Sequence, residues 1–566
     1  MPVVNLNLDR FKEMLGTEIS QDLIIEKLPY LGLDIEDISN SDMRIEYNPN
    51  RLDYSSDYGI ARGLKGLLDI DLGCPTYNVS NGSVEVIVDP SVQRIRPYIV
   101  SAIIKNLNLT TESIKQIISM QEDIHNSIGR KRRKVSIGIH NLDVITPPIL
   151  YIAKPSTFKF RPLDANEEMS IDEINKDTKV GQSYSYIIDG YGDYPILLDD
   201  DQQTLSFPPI INSELTRVTT NTSNLFIDVT ATDPFLASDA LAIIATTFND
   251  AGGLIESVSI SYPDSILTMK SVTKPSLNNS STLPILTPDL SPIKMKVNVT
   301  QINNLLGLSL DNGEISKCLS KSRIDTIISN DNVEALIPRY RIDIMHPVDL
   351  VEEVALGYGI DQFTSTLPSS YSLGKYSNEH QTLSHIRDIA TRFGLIEIMS
   401  FNLSNSQNLN SKLRRSSNLL KIMNSKSLDH SILRNQLISS LLETFSLNIH
   451  SKYPQKIFEV GKTFFEDPDY ESGIREEYHL AVGITHKSAR YTEINSILHS
   501  LLKQAFNVNV ITEPISDPSF IDGRSASIKV KEDTLGIIGE IHPESLSMFN
   551  LRNPVSLFEL NLQSFL

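Results

Sequence analysis

Four acidic residues within one short segment have the spacing of a cation-binding site: Asp343, Asp349, Glu352 and Glu353, in the stretch DIMHPVDLVEE. Proline is common in the first turn of a helix, so Pro347 predicts a helix that begins just before Asp349. Residues three and four positions apart share one side of a helix, and we expect Asp343 to approach them from the preceding strand. Oxygen ligands without cysteine or histidine favour Mg²⁺ or Ca²⁺ over zinc. The alternative is that these carboxylates only stabilise the positive end of the helix dipole.

A second group of polar residues follows a Pro-Pro turn in the stretch LSFPPIINSE, residues 205–214. A rigid turn followed by hydrogen-bonding side chains suits a small polar pocket beside a strand. The pocket residues that we predict are Asn212, Ser213, Glu214, Asn221 and Asp233. The alternative is ordinary turn chemistry at strand ends. No spacing typical of a Ser/His/Asp triad is evident, and His140 looks like an isolated histidine.

The densest basic run is RKRRK, residues 130–134, in a chain whose 51 basic and 70 acidic residues give a net charge of −19. An average field this negative repels nucleic-acid phosphates, so any contact with RNA must use a local basic patch or a basic partner. The run is either a solvated surface turn or a strip that contacts phosphates.

Composition excludes several other classes of protein. No run of about 18 apolar residues predicts a membrane span, and the N-terminus lacks the pattern of a signal peptide. The two cysteines cannot build a disulfide framework or a thiolate zinc site. Neither GxxxxGK[ST] nor GxGxxG occurs, so no phosphate-binding loop of these types is expected. We therefore expect a cytoplasmic, multidomain protein.

Strand and helix patterns alternate along the chain and predict an α+β multidomain fold. Residues 4–20 and 297–316 resemble each other, and so do the stretches around Asp53 and Asp343. We therefore predict two related small α+β units on either side of a mixed domain. The first copy has Gly59-Ile60-Ala61 in place of the glutamates, so no metal site is expected there. The predicted segments are a first unit over 1–75, a mixed domain over 76–272, a linker over 273–292, a second unit over 293–368 and a last domain over 369–566.

Seven stretches, in order, resemble the family of phenylalanyl-tRNA synthetase β subunits of the archaeal and eukaryotic type. They are NPNRLDYSSDYGIARGL (48–64), RRKVSIGIHNLD (132–143), FKFRPLD (158–164), LSFPPIINSELTRVTTNTSNLFIDVTATD (205–233), RIDIMHPVDLVEEVALGYG (341–359), LRNQLISSLLETFSLNIHSKYPQKIFEVG (433–461) and GRSASIKVKEDTLGIIGEIHPE (523–544). The PPIIN and DLVEEVA segments are the most specific, and the stretches span nearly the whole chain.

This resemblance implies a division of labour between two subunits. The mixed domain would edit by hydrolysing tyrosine mischarged on tRNA(Phe), and the acidic residues would hold Mg²⁺. The last domain would be a class II synthetase-like antiparallel sheet without catalytic function. An α partner in an α₂β₂ heterotetramer would perform the ligase reaction, with ATP, phenylalanine and tRNA(Phe) as substrates. The sequence agrees, because residues 536–540 (GIIGE) lack the following arginine that a class II ATP site requires.

Three other functions compete with this interpretation. The first is a free-standing hydrolase of mischarged tRNA, but such an editor would not need the last domain. The second is a module that only binds tRNA and supports the α chain. A Mg²⁺-dependent phosphotransferase is the third alternative, but a phosphate loop and a convergent basic group are missing.

Overall fold

The computed structural model describes residues 2–16, 19–39, 42–263, 284–329, 332–367 and 372–566. The chain divides into two compact units, Met1–Thr366 and Leu367–Leu566. Both units combine helices with largely antiparallel sheets, which confirms the predicted α+β class. Among the described residues no helix is both long and apolar enough to cross a membrane.

A small α+β repeat opens the first unit. Its elements are β1 (Val3–Asn7), α1 (Leu8–Leu15), α2 (Gln21–Lys27), β2 (Asp34–Ser39), β3 (Asp42–Glu46) and α3 (Asp57–Leu67). The strand order is β1-β3-β2, with antiparallel pairing throughout. The Ser20 side chain accepts a hydrogen bond from the Leu23 amide and caps α2.

A mixed domain built on an 11-stranded sheet follows. Its elements are β4 (Val79–Ser80), β5 (Glu85–Val88), β6 (Tyr98–Lys105), α4 (Thr111–Asn126), β7 (Val135–Asn141), β8 (Ile149–Pro155), β9 (Lys159–Phe160), β10 (Met169–Ser170), α5 (Ile171–Asp177), α6 (Lys179–Tyr184), β11 (Asp193–Leu198), β12 (Thr204–Phe207), β13 (Ile211–Asn212), β14 (Leu225–Ala231), α7 (Pro234–Asp250), β15 (Leu254–Ser261) and β16 (Ile285–Thr287). Strand β14, next to the edge strand β7, is buried along its whole length between β6 and β7. Polar side chains on β14 therefore need partners inside the protein.

The predicted linker is partly wrong. Residues 273–283 lie outside the described part of the chain, but Ile285–Thr287 pairs antiparallel with β15. The Thr287 hydroxyl also accepts a hydrogen bond from the Ser101 amide on β6 at 3.0 Å. The proline and serine content of this segment predicts a linker. Composition alone does not show which backbone amides and carbonyls form hydrogen bonds, so it does not reveal the short strand.

The second small repeat closes the first unit. It contains β17 (Ile293–Asn298), α8 (Val299–Leu306), α9 (Asn312–Lys321), β18 (Asp325–Ser329), β19 (Asn332–Ile337) and α10 (Pro347–Tyr358). The strand order β17-β19-β18 repeats that of the first copy, again with antiparallel pairing. The two segments that resemble each other in sequence therefore share the order and the antiparallel pairing of their three strands.

The second compact unit is a seven-stranded sheet covered by helices. Its elements are α11 (Asn378–Arg392), β20 (Ile396–Glu397), β21 (Leu403–Ser404), α12 (Ser406–Leu409), β22 (Ile432–Leu433), α13 (Ile438–Leu447), β23 (Gln455–Glu466), β24 (Ile474–Thr485), α14 (Tyr491–Phe506), β25 (Ile511–Pro514), β26 (Phe520–Val530), β27 (Asp533–Ile541), α15 (Pro543–Met548) and β28 (Val555–Asn561). The order is β20-β23-β24-β28-β27-β26-β25, antiparallel except at β20. Buried side chains of α11 and α14 share one hydrophobic core with the sheet, and those of α13 belong to another.

Candidate functional site

A buried hydrogen-bond network lies between β7 and β14. The Nε2 atom of His140 is 2.8 Å from Asp228 Oδ2, and its Nδ1 atom is 2.7 Å from Thr216 Oγ1. All three residues are at most 1% exposed. Gly138 faces the same carboxylate on β7, where a Cβ atom would lie 2.0 Å from Asp228 Oδ2. The position therefore requires glycine, and the imidazole is held at both ring nitrogens.

His140 is isolated in the sequence but not in the fold, where it is a buried histidine with partners at both ring nitrogens. Asp228 and Thr216 are 88 and 76 residues further along the chain, so spacing does not reveal them. The register brings them together, because β7 and β14 pair antiparallel with Gly138 opposite Asp228. The usable signal is weak: a histidine, an aspartate and a glycine occur in strands whose other positions are apolar.

Two of the predicted pocket residues lie beside this network. Asn212 donates from Nδ2 to the carbonyl oxygen of Ile139, the neighbour of His140, at 3.4 Å. Ser213 is 3% exposed, and its hydroxyl donates to the Arg161 carbonyl at 3.2 Å. The Ser213 side chain also caps the short 3₁₀ turn that ends at Thr216. The Pro-Pro turn thus leads directly to the histidine network.

Glu214 is committed to other partners. Its carboxylate forms a bidentate ion pair with Arg217, at 2.8 and 2.7 Å, and accepts the Asp164 amide at 2.9 Å. The hydrogen bonds from Arg217 are the main reason that the pKa of Glu214 falls to about 2. Both oxygens are therefore occupied and ionised. This argues against the expectation that Glu214 accepts a hydrogen bond from a substrate hydroxyl.

The remaining two predicted pocket residues are separated by the length of a strand. Asn221 is exposed in the turn before β14, whereas Asp233 follows β14 and caps α7 by accepting the Phe235 amide at 3.0 Å. Seven strand residues span roughly 23 Å at about 3.3 Å per residue. One small pocket does not contain both, so the prediction that all five residues converge is wrong.

An arginine occupies the centre of the acidic segment in the second repeat. Arg341 Nε and Nη2 contact the two carboxylate oxygens of Asp343 at 2.9 and 2.8 Å. Its Nη1 atom lies 3.4 Å from Glu353 Oε2, and Nη2 also contacts the other oxygen of Glu353. Burial opposes ionisation of Asp343, but the charge of Arg341 outweighs it and lowers the pKa of Asp343 below its ordinary value. A cation of the protein itself therefore pairs with two of the four carboxylates.

The other two carboxylates point elsewhere. Asp349 lies in the first turn of α10, as predicted, and accepts the amides of Met345 and His346 at 2.8 and 2.7 Å. Glu352 is exposed while Glu353 is buried, so they do not share a side of the helix. Asp343 lies in a turn after β19 rather than on the strand. The part of the chain that the structure describes contains no group of three potential metal ligands. As arranged, the four carboxylates do not fit a shared Mg²⁺.

Two family models and two full-length relatives match this sequence, and all four indicate the same family. The model of the phenylalanyl tRNA synthetase beta chain CLM domain matches residues 363–562, and that of the tRNA synthetase B5 domain matches residues 295–360. The phenylalanine–tRNA ligase β subunit of Archaeoglobus fulgidus is 38% identical over 100% of this chain and 99% of its own length. That of Methanothrix thermoacetophila is 37% identical over 99% of this chain and 100% of its own length. The chain belongs to the phenylalanyl-tRNA synthetase β-chain family.

A solved structure supports the fold of this family member. An N-terminal fragment of the phenylalanyl-tRNA synthetase β subunit from Pyrococcus horikoshii is 36% identical, with a TM-score of 0.58 over 63% of this chain and 100% of the fragment. The acidic segment lies within the B5 match, and the CLM match covers most of the second compact unit. The histidine network lies outside both matched ranges.

Proposed function

We propose that this chain is the β subunit of a phenylalanine–tRNA ligase, working with an α chain in a cytoplasmic α₂β₂ heterotetramer. The observation that carries the proposal is the end-to-end similarity to β subunits of that ligase, at 38 and 37% identity. The complex would join phenylalanine to tRNA(Phe) with ATP as substrate, and the α chain would supply the aminoacylation site. The β chain would support the α chain and help to bind the tRNA.

Phenylalanine-dependent exchange of pyrophosphate into ATP tests this proposal. The stretch Gly536–Glu540 is part of strand β27, and no arginine follows it in the way that a class II ATP site requires. The β chain alone should therefore show no exchange, and addition of the α chain should restore it. Exchange by the pure β chain at the rate of the complex would contradict the assignment.

We further propose that the β chain removes tyrosine from mischarged tRNA(Phe) beside the buried histidine network. Tyrosine is phenylalanine plus one hydroxyl, and an apolar pocket rejects an added hydroxyl only by about 10². A second site with hydrogen-bonding groups raises the discrimination. Ser213 and Asn212 are the polar side chains that the network positions, since their segment ends at Thr216. Water would attack the ester carbonyl, and the ribose oxygen would leave with a proton.

A matched pair of substitutions tests the editing proposal in the assembled enzyme. Ser213→Ala removes a nearly buried hydroxyl, and Glu214→Gln changes a neighbour that is tied to Arg217. We expect Ser213→Ala to slow the deacylation of tyrosyl-tRNA(Phe) by about tenfold or more, because one lost hydrogen bond costs about 0.5–1.5 kcal/mol and an unsatisfied partner costs more. Phenylalanine activation should not change in either variant. Equal deacylation by Ser213→Ala and wild type would move the editing site elsewhere.

Mg²⁺ at Asp343, Asp349, Glu352 and Glu353, which the family resemblance implies, stays a prediction that the described geometry does not favour. Arg341 already forms ion pairs with two of the four carboxylates. Calorimetric titration of the full chain with MgCl₂ tests it directly. Heat of binding that disappears in Glu352→Gln would establish the site, and its absence from the wild-type chain would refute it.

A further inference from the structure

Unpaired positive charge is concentrated in one surface turn of the mixed domain. The turn consists of Arg130, Lys131, Arg132, Arg133 and Lys134, and we call it the basic turn. Arg132 forms an ion pair with Glu122 at 2.7 Å. The other four are exposed, and within the described residues none of them forms an ion pair. Such a cluster is unusual in a chain of net charge −19, because acidic side chains are abundant enough to pair with it.

The backbone of the basic turn has one defined shape. Arg130, Lys131 and Arg132 have φ angles of 50, 54 and 65°, the left-handed region that side chains with a Cβ atom disfavour. Three successive residues keep this conformation only where the surroundings impose it. Amides within the turn donate to carbonyls at its base, among them Lys134 to Gly129 at 2.8 Å. The fully buried Arg96 donates from below to the Arg133 carbonyl at 3.2 Å.

The basic turn is tied to the segment that leads to the proposed editing centre. Arg132 Nη1 donates to the Ile210 carbonyl at 2.9 Å, two residues before Asn212. The turn also lies against tyrosines: the guanidinium of Arg132 is 4.4 Å from the ring centre of Tyr184, and that of Arg133 is 5.2 Å from that of Tyr186. Tyr186 is 46% exposed. Exposed aromatic rings beside cations are the features that bind unpaired nucleotides, by stacking on bases and pairing with phosphates.

We propose that the basic turn binds the phosphates of the unpaired 3′ end of the tRNA, the end that carries the aminoacyl group. The inference rests on the proposed editing function. A rigid set of cations next to the Pro-Pro turn holds the terminal nucleotides, and the aminoacyl ester then reaches the segment around Ser213. Tyr186 offers a stacking surface for one base. The charge complementarity is local, since the rest of the chain repels the tRNA.

Salt-dependent binding of tRNA(Phe) to the assembled α/β enzyme tests the proposal. The variant is Arg130→Gln/Lys131→Gln, which keeps a Cβ atom at both left-handed positions and so leaves the backbone cost unchanged. Each phosphate contact to a single strand contributes about 0.7 to the slope of log K against log salt concentration. We expect the slope to fall by about 1.4 in the double variant. The control Lys294→Gln/Lys317→Gln removes the same charge from two exposed lysines of the second repeat and should leave the slope unchanged.

A tRNA that lacks its unpaired 3′ nucleotides identifies the part of the RNA that is bound. With this tRNA, wild type and double variant should have equal slopes, and deacylation of intact tyrosyl-tRNA(Phe) should be slower in the variant. A slope difference that persists with the shortened tRNA places the contact on the paired stem and overturns the proposal. So does failure of the double variant to assemble with the α chain, which would make the basic turn a subunit interface.

The two proposals fail in distinguishable ways. Equal slopes for wild type and variant with intact tRNA, together with normal deacylation by wild type, overturn the role of the basic turn and leave editing intact. A wild-type enzyme that does not deacylate tyrosyl-tRNA(Phe) refutes editing, whereas the slope comparison still decides whether the turn binds the 3′ end.

Discussion

The two small repeats of the first unit have arginines at equivalent positions, Arg51 and Arg341, but surround them with different carboxylates. In the first repeat Arg51 forms a bidentate pair with Asp53, with both contacts at 2.9 Å. In the second, Arg341 and Asp343 repeat this pair at 2.9 and 2.8 Å. Only the second repeat adds a further carboxylate, from Glu353 on α10. The Arg–Asp pair thus has the same geometry in both repeats, whereas its surroundings differ.

The difference is explained by where the two motifs meet. Arg51 Nε is 3.9 Å from Asp343 Oδ2, so a carboxylate of the second repeat also forms an ion pair with the arginine of the first. Arg341 is only 1% exposed and has little water to solvate it. Arg51 is already paired with Asp53, so the three carboxylates of Asp53, Asp343 and Glu353 carry one negative charge more than the two arginines. Asp343 lies within reach of both guanidiniums and acts as a counter-ion across the contact between the repeats.

The largest expected effect comes from removing the shared guanidinium. Arg341→Met leaves the carboxylates of Asp343 and Glu353 nearly buried without their partner. Breaking a buried ion pair in this way costs about 3–5 kcal/mol. We expect a loss of this size in urea unfolding of the full chain, with faster hydrogen exchange in α10. A loss below 1 kcal/mol would mean that something else neutralises these carboxylates.

The equivalent change in the first repeat should cost less. Arg51→Met leaves one nearly buried carboxylate, that of Asp53, without its partner. The side chain of Arg51 itself is 14% exposed. Leaving a neutral buried group unsatisfied costs about 1–3 kcal/mol and a charged one more, but here one carboxylate loses its partner instead of two. The same unfolding measurement compares the two variants directly. If Arg51→Met were as damaging as Arg341→Met, the two repeats would use their arginines equally and the asymmetry would have no energetic meaning.

Sequence predicts the repeats well and their contacts poorly. The helix at Pro347 follows from a local pattern, because its start depends on residues a few positions apart. The pairing of Arg341 with Glu353 was missed because a count of carboxylates ignores which side of α10 each occupies. His140 was missed for a related reason, since its partners come from other strands. Local chemistry is visible in a sequence, whereas counter-ions contributed by distant segments are not.

Acid titration should isolate the contribution of Asp343 to the stability of the second repeat. The pKa of Asp343 is lowered by Arg341, so ionised Asp343 stabilises the folded state above the unfolded pKa of about 3.9. This contribution is lost as the pH falls below that value and through the folded pKa. Glu353→Gln removes the competing carboxylate and should cost about 1–3 kcal/mol at neutral pH. The variant should keep the acid-dependent loss that belongs to Asp343, and NMR titration of the Asp343 carboxyl checks it. An ordinary pKa of Asp343 would contradict the proposed stabilisation by its ion pair with Arg341.

The smallest expected effect is that of Glu352→Gln. It tests whether the carboxylates of the second repeat serve only as counter-ions or also bind a metal. Glu352 is exposed on α10, and surface substitutions away from special features change stability by about 0.5 kcal/mol or less. If Arg341 alone balances the cluster, Glu352→Gln should unfold at the same temperature as wild type, with or without EDTA. If Mg²⁺ binds there, EDTA should lower the unfolding temperature of wild type and leave Glu352→Gln unaffected. The first repeat has Ile60 and Ala61 in place of the glutamates and serves as the internal reference, since chelation should not change hydrogen exchange in α3 under either account.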